Sequence, residues 1–334
     1  MTSNILELQN LIEGFRLSCQ TEGKSPKTIE WYTSFVTRFR LFLELNNLPS
    51  QIDKINKNHI RQFILYLQEE ARTPHSGKNL SGATIQGYVR ALKAFFSWAD
   101  REDYILSNPL AKIPLPKARS KIISTFTEEQ IDILLNMCQT SNGYGQRNLV
   151  ILLLLLDSGI RVSELVNIEL DDINIAEGYI RIRRAKGGKE RFVPIGSVVQ
   201  KYLWKYINTS RPQPLTQQIT RLFLSAKGLP LTKSGIQQLL RRYGRRAGIS
   251  AVRCSPHTLR HTFAKNYLLN GGDIFSLQKI LGHSSLASVR VYLNLFDADI
   301  KKQHLRFSPV DNLARTSNFY RLSYHPRGLK PTES

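Results

Sequence analysis

The stretch NLVILLLLLDSGIRVSEL, residues 148–165, joins a long apolar run to a turn flanked by three charged side chains, Asp157, Arg161 and Glu164. The run from Leu149 to Leu156 is the longest in the chain, and its eight residues fall well short of the ~20 that a membrane-spanning helix needs. We therefore expect a buried helix of a globular domain. Gly159 favours the end of that helix, and a short second helix follows it. Arg161 and Glu164 stand at this junction, three residues apart, where the carboxylate can hold the guanidinium.

The N-terminal part of the chain carries apolar side chains at helical spacing in four segments. The clearest stripe consists of Ile29, Tyr32, Val36, Phe39 and Leu43. The spacing predicts a four-helix bundle over residues 1–112, with a polar loop from Ala71 to Ser81 between its third and fourth helices. Its aromatic residues are expected to fill the core rather than to stack on bases: Trp31, Phe35, Phe96 and Trp98.

A basic, proline-containing segment over residues 113–126 separates this bundle from the rest of the chain. Its prolines exclude a helix, and the segment is either a strap over DNA or a solvated connector. The second domain spans residues 127–306 and opens with a capping box at Thr127. The tail, residues 307–334, has no periodicity and either contacts another subunit or is disordered.

The second domain is predicted to be mostly helical with one small β-sheet. Alternating residues indicate a strand over Tyr179–Arg183, and Arg191–Pro194 form the return strand of a hairpin whose turn is Lys186–Lys189. Further helices are predicted over residues 198–208, 232–247, 256–269, 273–281 and 285–295. The expected fold class is therefore mainly α with a small β-sheet, an α+β fold in two domains.

The charge of the chain indicates a polyanionic partner. There are 47 Lys and Arg against 26 Asp and Glu, a net charge of +21, and residues 114–334 hold +18 of it. Such a field attracts phosphate backbones, but ribosomal proteins, RNA binders and membrane-surface proteins share it. Three scattered cysteines without C-x-x-C spacing predict neither a disulfide framework nor a zinc knuckle, and no signal sequence is visible. We expect a cytoplasmic protein with no membrane partner, and one associated with the nucleoid if the polyanion is DNA.

Several cofactor sites are not expected. The sequence contains neither the phosphate loop of ATP-binding proteins nor the glycine fingerprint of dinucleotide-binding proteins. His257 and His261 have the i, i+4 spacing of a zinc pair, but the glutamate of a zinc protease is missing and Arg260 would repel a cation. We therefore predict no metal, no nucleotide and no other cofactor.

The remaining candidates are cations placed at the ends of predicted elements. Ser255 and a following proline predict a helix start that puts His257 and Arg260 on one face, near the positive end of the helix dipole, and this suits a phosphate. His283 follows a glycine just past a helix end, and Tyr292 lies nine residues later. Singly, such residues have ordinary explanations, since His283 can cap a helix and Tyr292 can fill a core.

In this order the segments resemble the tyrosine recombinase (integrase) family, in the branch of Xer recombinases, phage integrases and transposon resolvases. The matching segments are Ser158–Leu165, Lys186–Arg191, His257–Ala264 and Leu281–His283 with Tyr292. The resemblance, which extends over residues 5–305, implies a phosphate-activating set and a tyrosine nucleophile. The set is Arg161, Lys186, His257, Arg260 and His283, the nucleophile is Tyr292, and Glu164 and Lys189 are supporting residues. Tyr292 is followed by Leu-Asn, where many members carry Thr-His.

Phosphodiester chemistry gives these residues their expected roles. Two guanidiniums can hold the phosphate oxygens as charge builds up on them, and His257 can act as base or proton relay for a phenol whose ordinary pKa is ~10. A lysine ammonium can protonate the departing 5′-oxygen, and Lys186 is the first candidate, with Lys189 as the alternative. His283 would donate to a non-bridging oxygen.

The resemblance also implies the partners and the reaction. A SAM-like core-binding domain and a catalytic domain would form a C-shaped clamp on double-stranded DNA that carries specific recombination sites, and a homotetramer would assemble in the synaptic complex. Strands would be cut and rejoined through a 3′-phosphotyrosine and a Holliday junction, in the integration, excision or resolution of a mobile element. Three alternatives stay open: Xer-type resolution of chromosome or plasmid dimers, a metal-independent tyrosine topoisomerase, and a non-catalytic DNA-binding regulator.

Overall fold

The computed structural model describes residues 7–73, 77–117, 124–138, 144–183, 190–282, 304 and 308. The chain divides into two compact units, Met1–Lys121 and Ile122–Ser334. The division falls within the segment 113–126 that the sequence predicts as a linker.

The first unit is the four-helix bundle that its apolar stripes predict. Its helices are α1 (Leu8–Thr21), α2 (Pro26–Leu45), α3 (Lys57–Glu69) and α4 (Gly82–Arg101), with a short 3₁₀ turn at Ile52–Lys54. The side chains of Ser25, Asn56 and Ser81 accept hydrogen bonds from backbone N–H groups of the first turns of α2, α3 and α4. The apolar stripes meet in one core, in which Phe39 and Phe63 are fully buried.

The aromatic residues of this unit follow the prediction in part. Phe96 and Trp98 are buried and Phe35 packs partly buried against the core, whereas Trp31 is 37% exposed, with its ring centroid 4.8 Å from that of Phe35. The prediction of a core role for Trp31 is wrong because it stands two residues, about 200° of helical rotation, from the buried Ile29.

The second unit is mostly helical, as predicted. Its helices are α5 (Glu128–Asn136), α6 (Tyr144–Ser158), α7 (Val162–Leu165), α8 (Ser197–Lys205), α9 (Lys233–Arg246), α10 (Pro256–Leu269) and α11 (Ile274–Leu281). A 3₁₀ turn lies at Leu170–Asp172, and a π turn at Tyr206–Ser210 ends α8 earlier than predicted. The predicted helix over residues 285–295 and, apart from residue 308, the tail lie outside the described residues.

Among the described residues, the sheet has three antiparallel strands in the order β1 (Ile173–Asn174), β2 (Tyr179–Ile182) and β3 (Arg191–Pro194). β2 and β3 confirm the predicted hairpin strands, whereas the sequence missed β1 because two residues are too few to show alternation. Ile180 pairs with Val193, and both side chains are buried beneath the helices.

The apolar run of residues 149–156 forms most of α6, which packs against α8 and α10. Side chains on several sides of α6 are fully buried, among them Val150, Leu152 and Leu155, and this explains why its sequence is apolar nearly all round. Within the described ranges, no helix combines the length and the apolarity required to cross a bilayer.

Candidate active site

The turn between α6 and α7 begins the site. Gly159 has a φ of +58°, and a Cβ atom built there would lie 2.2 Å from Phe263 Cδ1, so the position requires glycine. The turn directs the Gly159 carbonyl towards Arg260, whose Nη1 donates to it over 2.6 Å. It also places Arg161 at the N-cap of α7.

Glu164 is the buried anion of the site, with only 4% of its side chain exposed. It accepts from the backbone N–H of Arg161 over 2.8 Å and from Arg161 Nη1 over 2.9 Å. Burial raises the pKa of Glu164, but the hydrogen bonds from Arg191 and Arg161 outweigh burial and hold the pKa below its ordinary value of 4.5. The carboxylate is therefore ionised at neutral pH and orients Arg161, as its spacing predicts.

Arg161 and Arg260 meet at the C-terminal end of α11. Arg260 Nη2 donates to the Leu281 carbonyl over 2.8 Å, and Arg161 Nη2 donates to the Gly282 carbonyl over 3.3 Å. The two guanidiniums therefore donate to the carbonyls of consecutive residues. Arg260 is buried, and 24% of the Arg161 side chain is exposed.

His257 lies in the first turn of α10, beside these arginines. Ser255 caps the helix by accepting from the Thr258 N–H over 3.2 Å, and Pro256 is the first helical residue, both as predicted. Partial desolvation, followed by the positive charges of Arg260, Arg161 and Arg253, lowers the pKa of the exposed His257 below its ordinary 6.5. The ring is therefore neutral at pH 7 and able to accept a proton.

His261, one turn further along α10, is partly buried. Burial lowers its pKa, and the positive charges of His257, when that ring is protonated, and of Arg260 lower it further. Across the part of the chain that the structure describes, no group of three or more His, Cys, Asp or Glu side chains is placed to hold a metal ion.

Four of the candidate residues come together in this region of the second unit: Arg161, Glu164, His257 and Arg260. The other four lie outside the described residues: Lys186, Lys189, His283 and Tyr292. In the chain, both lysines fall between β2 and β3, and His283 directly follows Gly282.

Sequence reasoning missed the role of Arg191, the first residue of β3. Its Nη1 and Nη2 donate to the two carboxylate oxygens of Glu164 over 3.0 and 2.8 Å, and its side chain is only 11% exposed. The available signal was the strand period, since Arg191 shares the buried face of β3 with Val193. An arginine on a buried face requires an anionic partner.

A cationic surface lies on α9. Its 14 residues contain Lys233 and four arginines but no acidic residue, while its apolar side is buried. The α9 arginine face consists of Arg241, Arg242, Arg245 and Arg246, which are all exposed. Among the described residues, none of the ion pairs involves these four side chains. The face is suited to the phosphates of a nucleic acid.

Comparison with protein families and known proteins gives concordant results. The Phage integrase family matches residues 124–299, and the N-terminal SAM-like domain of phage integrases matches residues 11–106. The chain is 33% identical to the tyrosine recombinase XerD of Staphylococcus haemolyticus over 304 residues, which are 90% of this chain and 99% of that protein. It is 31% identical, with the same coverage, to tyrosine recombinase XerD of Staphylococcus aureus.

Solved structures share the fold. The XerH site-specific recombinase bound to palindromic difH substrate superimposes with a TM-score of 0.67 at 19% identity, over 90% of this chain and 85% of that one. The Tn1549 transposon integrase in complex with circular intermediate DNA gives a TM-score of 0.68 at 23% identity, over 84% and 94%. The family matches and the XerD relatives show that the chain belongs to the phage integrase family of tyrosine recombinases.

Proposed function

We propose that this protein is a site-specific recombinase that cuts and rejoins double-stranded DNA through a 3′-phosphotyrosine and a Holliday junction. The observation that supports it best is the pair of guanidiniums, Arg161 and Arg260, held on consecutive carbonyls beside the neutral His257. The likeness to XerD recombinases over nearly their whole length supports the same reaction.

The two arginines stabilise the transition state of phosphoryl transfer. As the phosphorus becomes five-coordinate, charge concentrates on the non-bridging oxygens, and donors that are already fixed in place stabilise it without reorganisation. Arg161 is fixed by Glu164, and Arg260 by the Gly159 and Leu281 carbonyls. His283, directly after Gly282 in the chain, is assigned a further hydrogen bond to a non-bridging oxygen.

Proton transfer accompanies the exchange of one ester for another. The phenol oxygen of Tyr292 attacks phosphorus while His257 takes the phenolic proton, directly or by relay. The bond from phosphorus to the 5′-oxygen breaks, and Lys186, with Lys189 as the alternative, supplies the proton that this oxygen needs. Reversal with a partner strand's 5′-hydroxyl rejoins DNA, so bond energy is conserved and no nucleotide is consumed.

The α9 arginine face supplies sequence-independent attraction to the DNA backbone in this proposal. We assign the active assembly to a homotetramer on two DNA sites, acting in the cytoplasm at the nucleoid. The biological task we favour is integration, excision or resolution of a mobile element. Xer-type dimer resolution is the second candidate, supported by 33% identity to a XerD recombinase.

Covalent capture tests the nucleophile. A library of nicked duplexes with randomised sequence is incubated with the protein, and DNA that stays attached after denaturation is amplified and sequenced. Wild type should select a defined duplex, while Tyr292→Phe should bind that duplex within about threefold of wild type and form no adduct. Tyr202→Phe, on the exposed side of α8, is the matched control and should react normally. Adducts that persist in Tyr292→Phe would refute the assignment.

A substrate with a sulfur leaving atom tests the general acid. Lys186→Ala should slow cleavage of the selected duplex by about 10²-fold or more, because the departing oxygen loses its proton donor. The rate should largely return when sulfur replaces the bridging 5′-oxygen, since a thiolate leaves unprotonated. If Lys189→Ala shows this rescue instead, the acid role belongs to Lys189.

Plasmid relaxation separates recombinase from topoisomerase. Under the proposal, supercoiled plasmid without the selected sequence should stay supercoiled, and recombinant products should require two copies of that sequence. Efficient relaxation of any plasmid by the monomer would favour the topoisomerase.

A further inference from the structure

We propose that Arg191 is a positioning residue of the recombination reaction, one that aligns Arg161 through Glu164 and holds the end of α11 against β3. The inference rests on the proposed function, because it gives Arg161 and Arg260 the task of binding the reacting phosphate. The Arg191 guanidinium itself donates to protein oxygens, those of Ile280 and Glu164.

The first observation is that the Glu164 carboxylate accepts hydrogen bonds from two arginines, Arg161 and Arg191. Glu164 Oε1 accepts from Arg161 Nη1 over 2.9 Å and from Arg191 Nη1 over 3.0 Å. Its Oε2 accepts from the Arg161 backbone N–H and from Arg191 Nη2, each over 2.8 Å. Both oxygens therefore carry two donors, and the forked contact from Arg191 sets the rotation of the carboxylate. A rotated Glu164 would take the Arg161 guanidinium with it.

The second observation lies at the C-terminal end of α11, where three successive carbonyls accept from three different arginines. The Ile280 carbonyl accepts from Arg191 Nε over 3.0 Å, that of Leu281 from Arg260, and that of Gly282 from Arg161. The last carbonyls of a helix lack intrahelical partners and carry partial negative charge, so they attract cations. Arg191 thus fixes the first of three carbonyls, of which the other two orient the phosphate-binding arginines.

The third observation is that the Arg191 guanidinium lies close to the backbone of Gly282. A Cβ built on Gly282 would lie 3.0 Å from Arg191 Cζ, and Gly282 has a φ of +62°. The glycine therefore lets α11 end directly against Arg191. In the chain, His283 follows that glycine, and Lys189 precedes Arg191 by two residues. The Arg191 side chain therefore joins the strand that follows one segment with proposed catalytic groups to the helix end that precedes the other.

The contacts of Arg191 distinguish positioning from catalysis. Its Nε and both terminal nitrogens donate to Ile280 and Glu164, so its effect on the phosphate must pass through Arg161, Glu164 and the α11 carbonyls. A displacement near 1 Å in a reacting group costs about 10²-fold in rate. Removal of the forked hydrogen bonds is therefore expected to slow chemistry without weakening DNA binding.

The experiment measures single-turnover covalent capture of the nicked duplex selected by the wild-type protein. Arg191→Met and Arg191→Lys should each lower the rate constant at saturating DNA by about 10²-fold, with DNA affinity within about threefold of wild type. Lysine keeps the charge but cannot span two carboxylate oxygens, so it tests geometry. Arg181→Lys, on the neighbouring strand β2 and paired with Asp172, is the matched control and should keep the wild-type rate.

The rate constant and the amplitude of covalent capture distinguish a positioning role of Arg191 from a role in folding. A purely structural role would reduce the fraction of protein that reacts and leave the rate constant of that fraction unchanged. A wild-type rate constant in both Arg191 variants would overturn the proposal. If Arg191→Met fails to fold, the same measurements on Arg191→Lys decide.

The second test asks whether the effect of the Arg191 substitution depends on the Arg161 side chain. Arg191→Met should slow Arg161→Ala by clearly less than it slows wild type, because the part of its effect that passes through Arg161 is already removed and only the part that passes through the α11 carbonyls remains. A full 10²-fold loss in that background would refute action through Arg161. Failure of the wild type to capture any duplex would instead refute the proposed function, whereas normal capture by wild type and both Arg191 variants refutes only this inference.

Discussion

Replacing Glu164 by glutamine should test the charge network at the base of the site. The substitution keeps the shape of the side chain but removes the charge that faces two arginines. The carboxylate is 4% exposed and accepts four hydrogen bonds, and the Arg191 side chain opposite is 11% exposed. Removing one member of a buried ion pair costs about 3–5 kcal/mol, because the other charge stays buried without compensation. We expect a loss of this size in the free energy of unfolding at pH 7.

The pH dependence follows from the direction of the pKa shift. The pKa of Glu164 in the folded protein lies below the ordinary 4.5, so the unfolded chain binds the proton more readily. The stabilisation is complete above pH 4.5 and is lost as pH falls towards the folded-state pKa. The difference between wild type and Glu164→Gln should therefore be largest near neutrality and shrink below pH 4.5.

Urea unfolding followed by circular dichroism, at pH 7 and below pH 4.5, measures both effects. The change should affect the transition of the second unit and leave that of the first unit in place. Glu169→Gln is the control, because this carboxylate is 25% exposed and pairs with Arg183 and Arg221 nearer the solvent, where a pair contributes at most about 1 kcal/mol. A loss below about 1 kcal/mol for Glu164→Gln, or an equal loss at both pH values, would refute the reasoning.

Three further outcomes are expected. Gly159→Ala should lower the free energy of unfolding by about 2–5 kcal/mol, from left-handed backbone strain and overlap with Phe263; a urea midpoint close to wild type would contradict this. In the free protein His257 should titrate below 6.5 by NMR, and its midpoint should rise when DNA is bound, since a phosphate offsets the neighbouring arginines; a midpoint above 6.5 without DNA would count against the site. Glutamine at all four positions of the α9 arginine face should reduce the slope of log affinity against log salt by about 0.9 for each phosphate that is no longer neutralised, and an unchanged slope would remove this face from the interface.

Local features of the fold were predictable from the sequence. The apolar spacing predicted α1 to α4, the caps predicted where α5 and α10 begin, and alternation predicted β2 and β3. Such signals depend on neighbours within a few residues, so one sequence contains them. Short or irregular features were not predicted, among them the two-residue strand β1 and the exposed position of Trp31.

Some features of the candidate site were likewise predictable from the sequence, and others were decided by the tertiary structure. Residue type and position relative to a helix end predicted that Glu164 would hold Arg161 and that His257 and Arg260 would lie at the start of α10. Only the tertiary structure decided how these groups are held, since Arg161 meets a carbonyl 121 residues away and Arg260 one that is 101 residues away. The contacts of Arg191 were also decided by the tertiary structure, because its partners become neighbours only when β3, α7 and α11 pack together.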